Sequence, residues 1–186
     1  MTVTPQSSAP TRTVWTLDPA HTLVEFGVRH LMVSTVKGRF SGVRGTIHLD
    51  EANLTGSSVE VEIDAASIDT RDPQRDAHLR SADFLDVERY PTITFRSTRI
   101  EPLGGDRYRV SGDLTIRGVT RAVALDVTYT GRLKNPWGKE VIGFEATTSV
   151  NRHDFGASWN LALEAGGFLV GDTVKVSLEV EAIKQE

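Results

Sequence analysis

A two-residue alternation of apolar and polar side chains runs through most of the chain and constrains its fold more than any other feature. In residues 57–65, Val59, Val61 and Ile63 alternate with acidic side chains, as in a strand with one buried face and one wet face. The same alternation recurs over residues 107–116, 121–129 and 174–182, and more weakly over 14–17, 22–31, 36–49, 91–99 and 139–150. About eight or nine strands are therefore predicted, which places the chain in the all-β class.

One predicted strand changes phase in its middle. Apolar or glycine positions are even-numbered over residues 36–42 and odd-numbered from Val43 onward. A one-residue change of phase would turn every later side chain to the other face unless the strand bends or carries a bulge. Gly38, Gly42 and Gly45 allow such a bend. Long strands that bend at glycine are typical of a sheet that closes into a barrel.

Two segments interrupt the alternation. Residues 70–88 predict a short helix, with Asp72 as its N-cap and Pro73 as its first residue. Asp76 and Arg80 stand four residues apart there, which predicts an ion pair along the helix. Residues 151–171 lack alternation but carry large apolar side chains, so we expect a rim or lid from them.

Composition sets the class of protein. The chain has 186 residues, of which 39% are hydrophobic and 25% charged, as in a single globular domain. It has no cysteine, which excludes thiolate chemistry, and its net charge of −4 gives no basic footprint for nucleic acid. The sequence contains no run of 18 apolar residues, so it predicts no transmembrane helix.

The N-terminus predicts the domain limits and the compartment. Residues 1–12 are polar and lack the basic start, apolar run and cleavage site of a secretory signal. We expect a disordered lead-in over 1–12, a single domain over 13–184, and a cytoplasmic location.

A search for catalytic motifs finds no nucleophile elbow, no phosphate-binding glycine loop and no dinucleotide fingerprint. The aspartates near residues 64–86 are interpreted as capping and solvating the short helix. A zinc site made of His21, His30 and His153 is an alternative that no spacing motif supports. His30 shares the inward face of its strand, where it is either a hydrogen-bonded core histidine or a ligand contact. We therefore predict no metal, no cofactor and no enzymatic activity.

The residues themselves leave open whether the barrel is filled or hollow. Phe26, Phe40, Phe95 and Phe144 lie on the apolar faces of their strands. Eight strands can enclose either a core filled by side chains or one small ligand. Periodicity alone does not distinguish the two.

Four motifs in order resemble one known family. They are WTLDPAHTLVEFGVRHLMVSTVKGRFSGVRGTI with His21, Phe26, His30, Gly38 and Phe40, then RDAHLRSADFLDVERYPTITF, GDLTIRGVTRAVALDV, and NRHDFG with the closing VGDTVKVSLEVEA. Over residues 13–184 the chain is similar to the YceI-like proteins, a lipocalin-like family of polyisoprenoid- and lipid-binding barrels.

The resemblance implies an extended eight-stranded antiparallel barrel with a short helical insertion around residues 72–86. It also implies a long-chain ligand, either an isoprenoid of the polyprenyl pyrophosphate or quinone type or a fatty-acid-type lipid, and pairing into homodimers. The function that follows is a non-enzymatic carrier. The alternatives are a metal-assisted enzyme at the barrel mouth and a filled barrel that serves only as an interaction module.

Inward phase and position in the apolar interruptions predict the residues that line or close the cavity: Phe26, His30, Phe40, Phe84, Phe95, Phe144, Phe155, Trp159 and Phe168. Arg39, Arg75 and Arg152 are candidates for contact with a charged head group, because a guanidinium fork suits phosphate. Surface salt bridges are the alternative role for each of these arginines.

Overall fold

The computed structural model describes residues 12–186, so most of the predicted lead-in lies outside it. The described residues form eleven strands: β1 (Arg12–Leu17), β2 (Leu23–His30), β3 (Ser34–Phe40), β4 (Val43–Asp50), β5 (Ser58–Asp64), β6 (Ile68–Asp69), β7 (Thr92–Gly104), β8 (Arg107–Ile116), β9 (Val119–Lys134), β10 (Glu140–Asn151) and β11 (Val170–Lys184). They also form helix α1 (Pro73–Arg80) and 3₁₀ turns at Leu54–Gly56, Ala65–Ser67 and Arg152–Phe155. Arg12 already belongs to β1, one residue earlier than the predicted domain limit.

The strands close into an antiparallel barrel. Their order is β1–β4–β5–β7–β8–β9–β10–β11, and β11 pairs back with β1 through Leu17↔Ala182. The prediction of an eight-stranded antiparallel barrel is confirmed. We call the end near Arg12 and Lys184 the upper end, and the end near His30 and Val170 the lower end.

Three of the eight barrel strands are broken in two along their length. β2 continues β1 along β11, β3 pairs with β2 while β4 pairs with β1, and β6 pairs with β3 while β5 pairs with β4. Eleven strand segments therefore make eight barrel strands in the described chain.

The predicted phase change is the break between β3 and β4. At this break the carbonyl of Gly42 accepts from the N–H of Asp64 at 2.7 Å, and the N–H of Gly42 donates to Ser67 Oγ at 3.0 Å. A Cβ on Gly42 would stand 2.8 Å from the Cβ of Asp64, so the close approach requires glycine. The bend lets both halves of the strand keep their apolar side chains inside.

The upper half of the barrel is filled. Trp15 is fully buried, and Leu17, Val43, Ile47 and Leu49 pack around it with less than one tenth of their surface exposed. Such packing leaves no room for a ligand, because protein cores reach the density of organic crystals.

Charged side chains cover Trp15 at the upper end. The Arg132 guanidinium lies 4.9 Å from the Trp15 ring and donates to Glu51 at 2.8 Å and to Glu140 at 3.0 Å. The hydrogen bond to Arg132 lowers the pKa of Glu51, and those to Lys184 and Arg132 lower the pKa of Glu140. The upper end is closed by an ion-pair network stacked on an aromatic ring.

Helix α1 begins where the sequence predicts and ends early. Asp72 caps it by accepting from the N–H groups of Gln74 and Arg75, each at 3.1 Å. The helix stops at Arg80, and turns follow within the predicted insertion. The predicted Asp76–Arg80 ion pair is wrong, because each side chain bonds to another segment.

Asp76 is buried and accepts from the N–H and hydroxyl of Thr70 at 2.9 and 2.5 Å. Arg80 donates to the carbonyls of Ala66 and Ile68, each at 2.9 Å. Both side chains fasten the helix to residues 66–70, in and around β6, by bonding to backbone groups there.

A histidine on the outer surface marks the break between β1 and β2. His21 Nδ1 lies 2.7 Å from Asp18 Oδ2 and 3.8 Å from Glu181 Oε1. The hydrogen bond to Asp18 raises the pKa of His21, and the negative charge of Glu181 raises it further.

We expect an NMR pH titration to place the pKa of His21 above the ordinary value of about 6.5. Because the folded-state pKa is raised, protonated His21 stabilises the fold below the ordinary value, and this stabilisation disappears as the pH rises through the raised pKa. Asp18→Asn should move the pKa back down, and Glu181→Gln should move it less. A wild-type titration at or below the ordinary value would contradict the Asp18 contact.

Candidate functional site

The lower half of the barrel encloses a cavity of about 910 Å³. Its wall is mostly aliphatic, as shown by Leu114 and Ile116 of β8 and by Val123 and Leu125 of β9. On β11 the lining residues run from Val170 to Leu178, which corresponds to about 26 Å of strand at 3.3 Å per residue. The barrel is therefore filled at one end and hollow at the other.

Strand register explains why these side chains face inward together. Val24, Phe26 and Val28 of β2 stand opposite Leu178, Val176 and Val174 of β11, and all six line the cavity. Directly opposite residues in an antiparallel pair point to the same face, so one alternating pattern on each strand produces a continuous apolar wall.

A glycine on β3 makes room for an aromatic side chain. Gly38 stands opposite Phe26, and a Cβ on Gly38 would overlap the Phe26 ring. The Phe26 ring lies 5.6 Å from the Phe40 ring, so the two aromatics form one surface of the wall.

Phe40, Ile63 and Leu178 form part of the floor between the two halves. Each lines the cavity and also packs against the core cluster around Trp15. Their side chains set how deeply a ligand can enter from the lower end.

The structure brings seven of the nine predicted lining residues to the cavity: Phe26, His30, Phe40, Phe84, Phe95, Phe155 and Trp159. Phe144 and Phe168 are not part of its wall. Phe144 has the predicted inward phase but lies in the filled half, where its ring is 5.8 Å from that of Tyr129. Phe168 is 54% exposed in the loop before β11, where it forms an isolated bridge with Ala162.

An aromatic cluster closes part of the lower end. The His78 ring meets the Trp159 ring edge-on at 4.6 Å and the Phe84 ring at 5.1 Å. His78 Nε2 also lies 2.8 Å from Asp83 Oδ2, which fixes the orientation of the ring. This packing joins α1 to the segment after β10.

One face of α1 lines the cavity, and of its residues only Arg75 was predicted from sequence. Gln74, His78 and Leu79 line the cavity beside Arg75. Their spacing of three to four residues places them on one helical face, so helical periodicity over residues 74–79 was the signal available. Gln74 and Arg29 are exposed as well as cavity-lining, so the cavity reaches the surface between α1 and the end of β2.

Arg152 reaches the cavity wall but is engaged by backbone. Its guanidinium donates to the carbonyls of Gly171 at 2.7 Å, Ala157 at 2.6 Å, Trp159 at 2.9 Å and Val170 at 3.3 Å. The residue is only 6% exposed, and this burial lowers its pKa, although guanidinium remains charged in proteins. The alternative of a surface salt bridge is wrong, because Arg152 holds the loop before β11 against the barrel.

Arg75 and Arg39 differ in how they meet the cavity. Arg75 donates from Nε and Nη2 to Thr70 at 2.8 Å each, and its Nη1 is 3.9 Å from Asp72. Among residues 12–186, Nη1 of Arg75 has no hydrogen-bond partner, so its N–H groups remain available beside the cavity that Arg75 lines. Arg39 is exposed, stands opposite Asp69 of β6, and is absent from the cavity lining.

Arg117, also at the lower end, likewise bonds to backbone. Arg117 donates to the carbonyls of Gly156 at 2.8 Å and Ala82 at 2.7 Å. Because irregular segments leave carbonyls without strand or helix partners, guanidinium groups with several donors satisfy them.

The three histidines of the zinc alternative do not converge. His30 lines the cavity, His21 pairs with Asp18 on the outer surface, and His153 lies 2.7 Å from Asp172. Among the described residues, the group of potential ligands close enough for one ion is Asp18, His21 and Glu181, all on the surface of the break between β1 and β2.

Among residues 12–186, no helix has the length and apolar character needed to cross a lipid bilayer.

Comparison with known proteins gives relatives over most of the chain. A UPF0312 protein of Vibrio cholerae is 41% identical over 137 residues, which cover 74% of this chain and 72% of the relative. A UPF0312 protein of Pseudomonas putida is 37% identical over 166 residues, 89% of this chain and 83% of the relative.

Solved structures share the barrel. The YceI protein of Campylobacter jejuni is 32% identical with a TM-score of 0.71, covering 85% of this chain and 90% of that one. A polyisoprenoid binding domain from Saccharophagus degradans is 16% identical with a TM-score of 0.66, covering 93% and 99%, and at this identity it shows the fold alone. The model of the YceI-like domain matches residues 15–182, and the chain belongs to the YceI-like family.

Proposed function

We propose that the chain binds one long-chain apolar lipid of the isoprenoid type in the lower half of the barrel and carries it without changing it chemically. The observation that carries this proposal is the cavity of about 910 Å³ with its aliphatic and aromatic wall. This volume lies near the top of the usual range for small-molecule sites, which is about 300–1,000 Å³. A filled barrel serving only as an interaction module would not leave such a space.

The choice of an isoprenoid takes its support from the Saccharophagus degradans domain, described as polyisoprenoid binding, which has the same barrel. The extended course of the cavity along β11, from Val170 to Leu178, suits a flexible chain better than a compact ring system. The polyprenyl pyrophosphate and quinone types both combine such a chain with a polar head.

Exchange with a membrane is the relevant comparison for affinity. Moving a chain of about 40 carbons out of water would release on the order of 30 kcal/mol at about 0.8 kcal/mol per methylene. That exceeds the practical ceiling of about 18–21 kcal/mol for non-covalent affinity. Transfer from a bilayer to the barrel replaces one apolar environment with another, so the net free energy can be small and the cargo can be released.

For the head group we propose Arg75 rather than Arg39 or Arg152. The Nη1 of Arg75 has N–H groups left over at the mouth, whereas most donors of Arg152 are taken by carbonyls. Arg39 lies on the outer face and does not reach the cavity. A pyrophosphate or quinone oxygen placed at the mouth would accept a hydrogen bond from Arg75.

The experiment that tests the proposal is native mass spectrometry of gently purified protein, followed by solvent extraction and identification of any released lipid. We expect either a bound lipid of defined mass or, from a bare chain, saturable uptake of a fluorescent polyprenol. A bare chain that takes up no polyprenol would overturn the proposal. Comparing polyprenol with polyprenyl pyrophosphate, in wild type and Arg75→Met, tests the head-group contact.

Phe40→Trp is expected to shorten the cargo that fits. The larger side chain at the floor occupies space at the closed end, so long polyprenols should bind about tenfold more weakly while farnesol binds as before. Tyr108→Trp, on the part of β8 outside the cavity wall, is the matched control. An unchanged chain-length profile in Phe40→Trp would remove Phe40 from the set of residues that limit the cargo.

A further inference from the structure

Exposed apolar side chains lie along one side of the cavity mouth. At the tip of the β2–β3 hairpin, Leu31, Met32 and Val33 are 40%, 60% and 76% exposed. In the loop before β11, Leu161 and Phe168 are 56% and 54% exposed. We call these five residues the mouth patch. Contiguous exposed apolar surface of this kind marks an interaction site more often than scattered single residues do.

The two parts of the mouth patch form one surface. The N–H of Leu31 donates to the carbonyl of Leu169 at 3.0 Å, which ties the hairpin tip to the loop. A Cβ added to Gly167 would lie 3.6 Å from Met32 Cγ, so the Met32 side chain rests against the same loop.

The local sequence at the hairpin tip works against its backbone conformation. Leu31 and Met32 have φ values of +52° and +60°, and the N–H of Val33 donates to the carbonyl of His30 at 3.1 Å. Two central residues at positive φ are the conformation of a type I′ turn, where Asn-Gly is favoured and large apolar residues are rare. Such a departure from turn chemistry is expected where exposed side chains serve a function.

The mouth patch adjoins the cavity directly. Arg29 and His30, which precede the hairpin tip, and Leu169 and Val170, which follow Phe168, all line the cavity. An apolar ligand that enters beside this patch from an apolar surface would avoid a passage through water.

Basic side chains flank the mouth patch on the outer barrel surface. The exposed Arg29 braces the turn by donating to the carbonyl of Met32 at 3.1 Å and to Thr35 Oγ1 at 3.2 Å. Lys37 of β3 and Lys175 of β11 are exposed, and both stand opposite Gly27 of β2, which lies between them. These cations lie where phosphate groups would surround an inserted patch. The acidic groups at this end include Asp72, which caps α1, Asp83, which lies 2.8 Å from His78, and Asp172, which is bonded to His153; Asp154 and Glu164 lie there as well.

We propose that the mouth patch docks on a phospholipid bilayer and that the cargo passes between bilayer and cavity there. This inference rests on the proposed lipid-binding function. This arrangement fits a membrane interface. The apolar side chains of the mouth patch would enter the acyl region, and the basic side chains farther up the barrel would lie at the head groups. A second copy of the chain would have to cover the same patch, and the test separates the two.

The test uses vesicles of phosphatidylcholine with phosphatidylglycerol and the double variant Met32→Asn/Val33→Ser. Asparagine accepts a positive φ, so the fold should be kept while apolar surface is lost. We expect on the order of tenfold weaker binding to vesicles and an equally slower transfer of polyprenol from vesicles to protein. Equilibrium uptake of polyprenol from a bilayer-free dispersion should stay unchanged. Trp137→Ser, which removes an 83% exposed side chain from the β9–β10 hairpin at the upper end, is the matched control and should bind vesicles like wild type.

Three results would overturn the inference: vesicle binding by the double variant equal to that of wild type, an equal loss in Trp137→Ser, or no vesicle binding by wild type. In the last case, loss of a dimer in the double variant would show that a second copy of the chain covers the patch. Vesicle binding is measured without cargo, so it decides the docking site even if the chain takes up no polyprenol. Failed uptake from dispersion would instead contradict the proposed function.

Discussion

Arg152→Met is expected to lower the free energy of unfolding by at least about 3 kcal/mol, because four backbone carbonyls lose a charged donor at a buried position. For a chain of this size, that corresponds to a fall in Tm of about 6–12 °C. The carbonyls of Ala157 and Val170 belong to the segment that covers the lower end, so the cavity should also lose its cover. Thermal and urea unfolding followed by circular dichroism measure the effect.

Arg39→Met is the matched control for this change. Arg39 is exposed on the outer face of β3, where removal of a charge typically changes stability by no more than about 0.5 kcal/mol. Arg152→Lys should recover only part of the loss, because an ammonium group has three donors and lacks the planar fork. Arg152→Met as stable as wild type would show that the loop is held by its apolar contacts instead.

Leu17→Ala and Leu125→Ala are expected to differ sharply although they remove the same atoms. Leu17 is 3% exposed in the filled half, so its loss should cost about 3–5 kcal/mol through a new void. Leu125 lines an existing cavity, so its truncation enlarges a space that is already there and should cost about 1 kcal/mol. Chemical denaturation of the two variants beside wild type gives both values.

Ligand binding provides the second measurement on this pair. Leu125→Ala should accept bulkier or longer polyprenols than wild type, and Leu17→Ala should keep the wild-type cargo profile under conditions where it remains folded. Equal destabilisation by the two variants would mean that the lower half is packed as tightly as the upper half. That outcome would contradict the division of the barrel.

Alternation made most of the barrel predictable from sequence. Residues 107–116 match β8 at both ends, and the change of phase after Gly42 marks the break between β3 and β4. The Asp72–Pro73 pair located the start of α1 because an N-cap and a proline at the first position act locally. Local signals of this kind can be recognised in a single sequence.

Depth along the barrel was not predictable in the same way. Phe144 and Phe95 both carry inward phase, yet Phe144 packs in the filled half and Phe95 lines the cavity. A period of two indicates which face of the sheet a side chain occupies. It does not indicate the height along the barrel axis at which that side chain lies. The layer depends on register with neighbouring strands, which is set by contacts distant in sequence.

The roles of the arginines were also beyond the sequence. Arg152 and Arg75 look alike as candidates for phosphate contact, but most donors of Arg152 bond to carbonyls of the loop before β11 and of the start of β11. Which carbonyls lack partners depends on how irregular segments fold over the lower end. Charge and residue type alone do not show which carbonyls need a donor.

The division of the barrel separates the residues that make the chain fold from those that choose its cargo. Side chains around Trp15 supply burial in the upper half, and side chains such as Leu125 bound an empty space in the lower half. Substitutions of wall side chains that, like Leu125, only border the empty space can therefore change the length or shape of a cargo at small cost in stability. The barrel is therefore suited to redesign for other apolar molecules, because changes confined to its lower half leave the packed upper half intact.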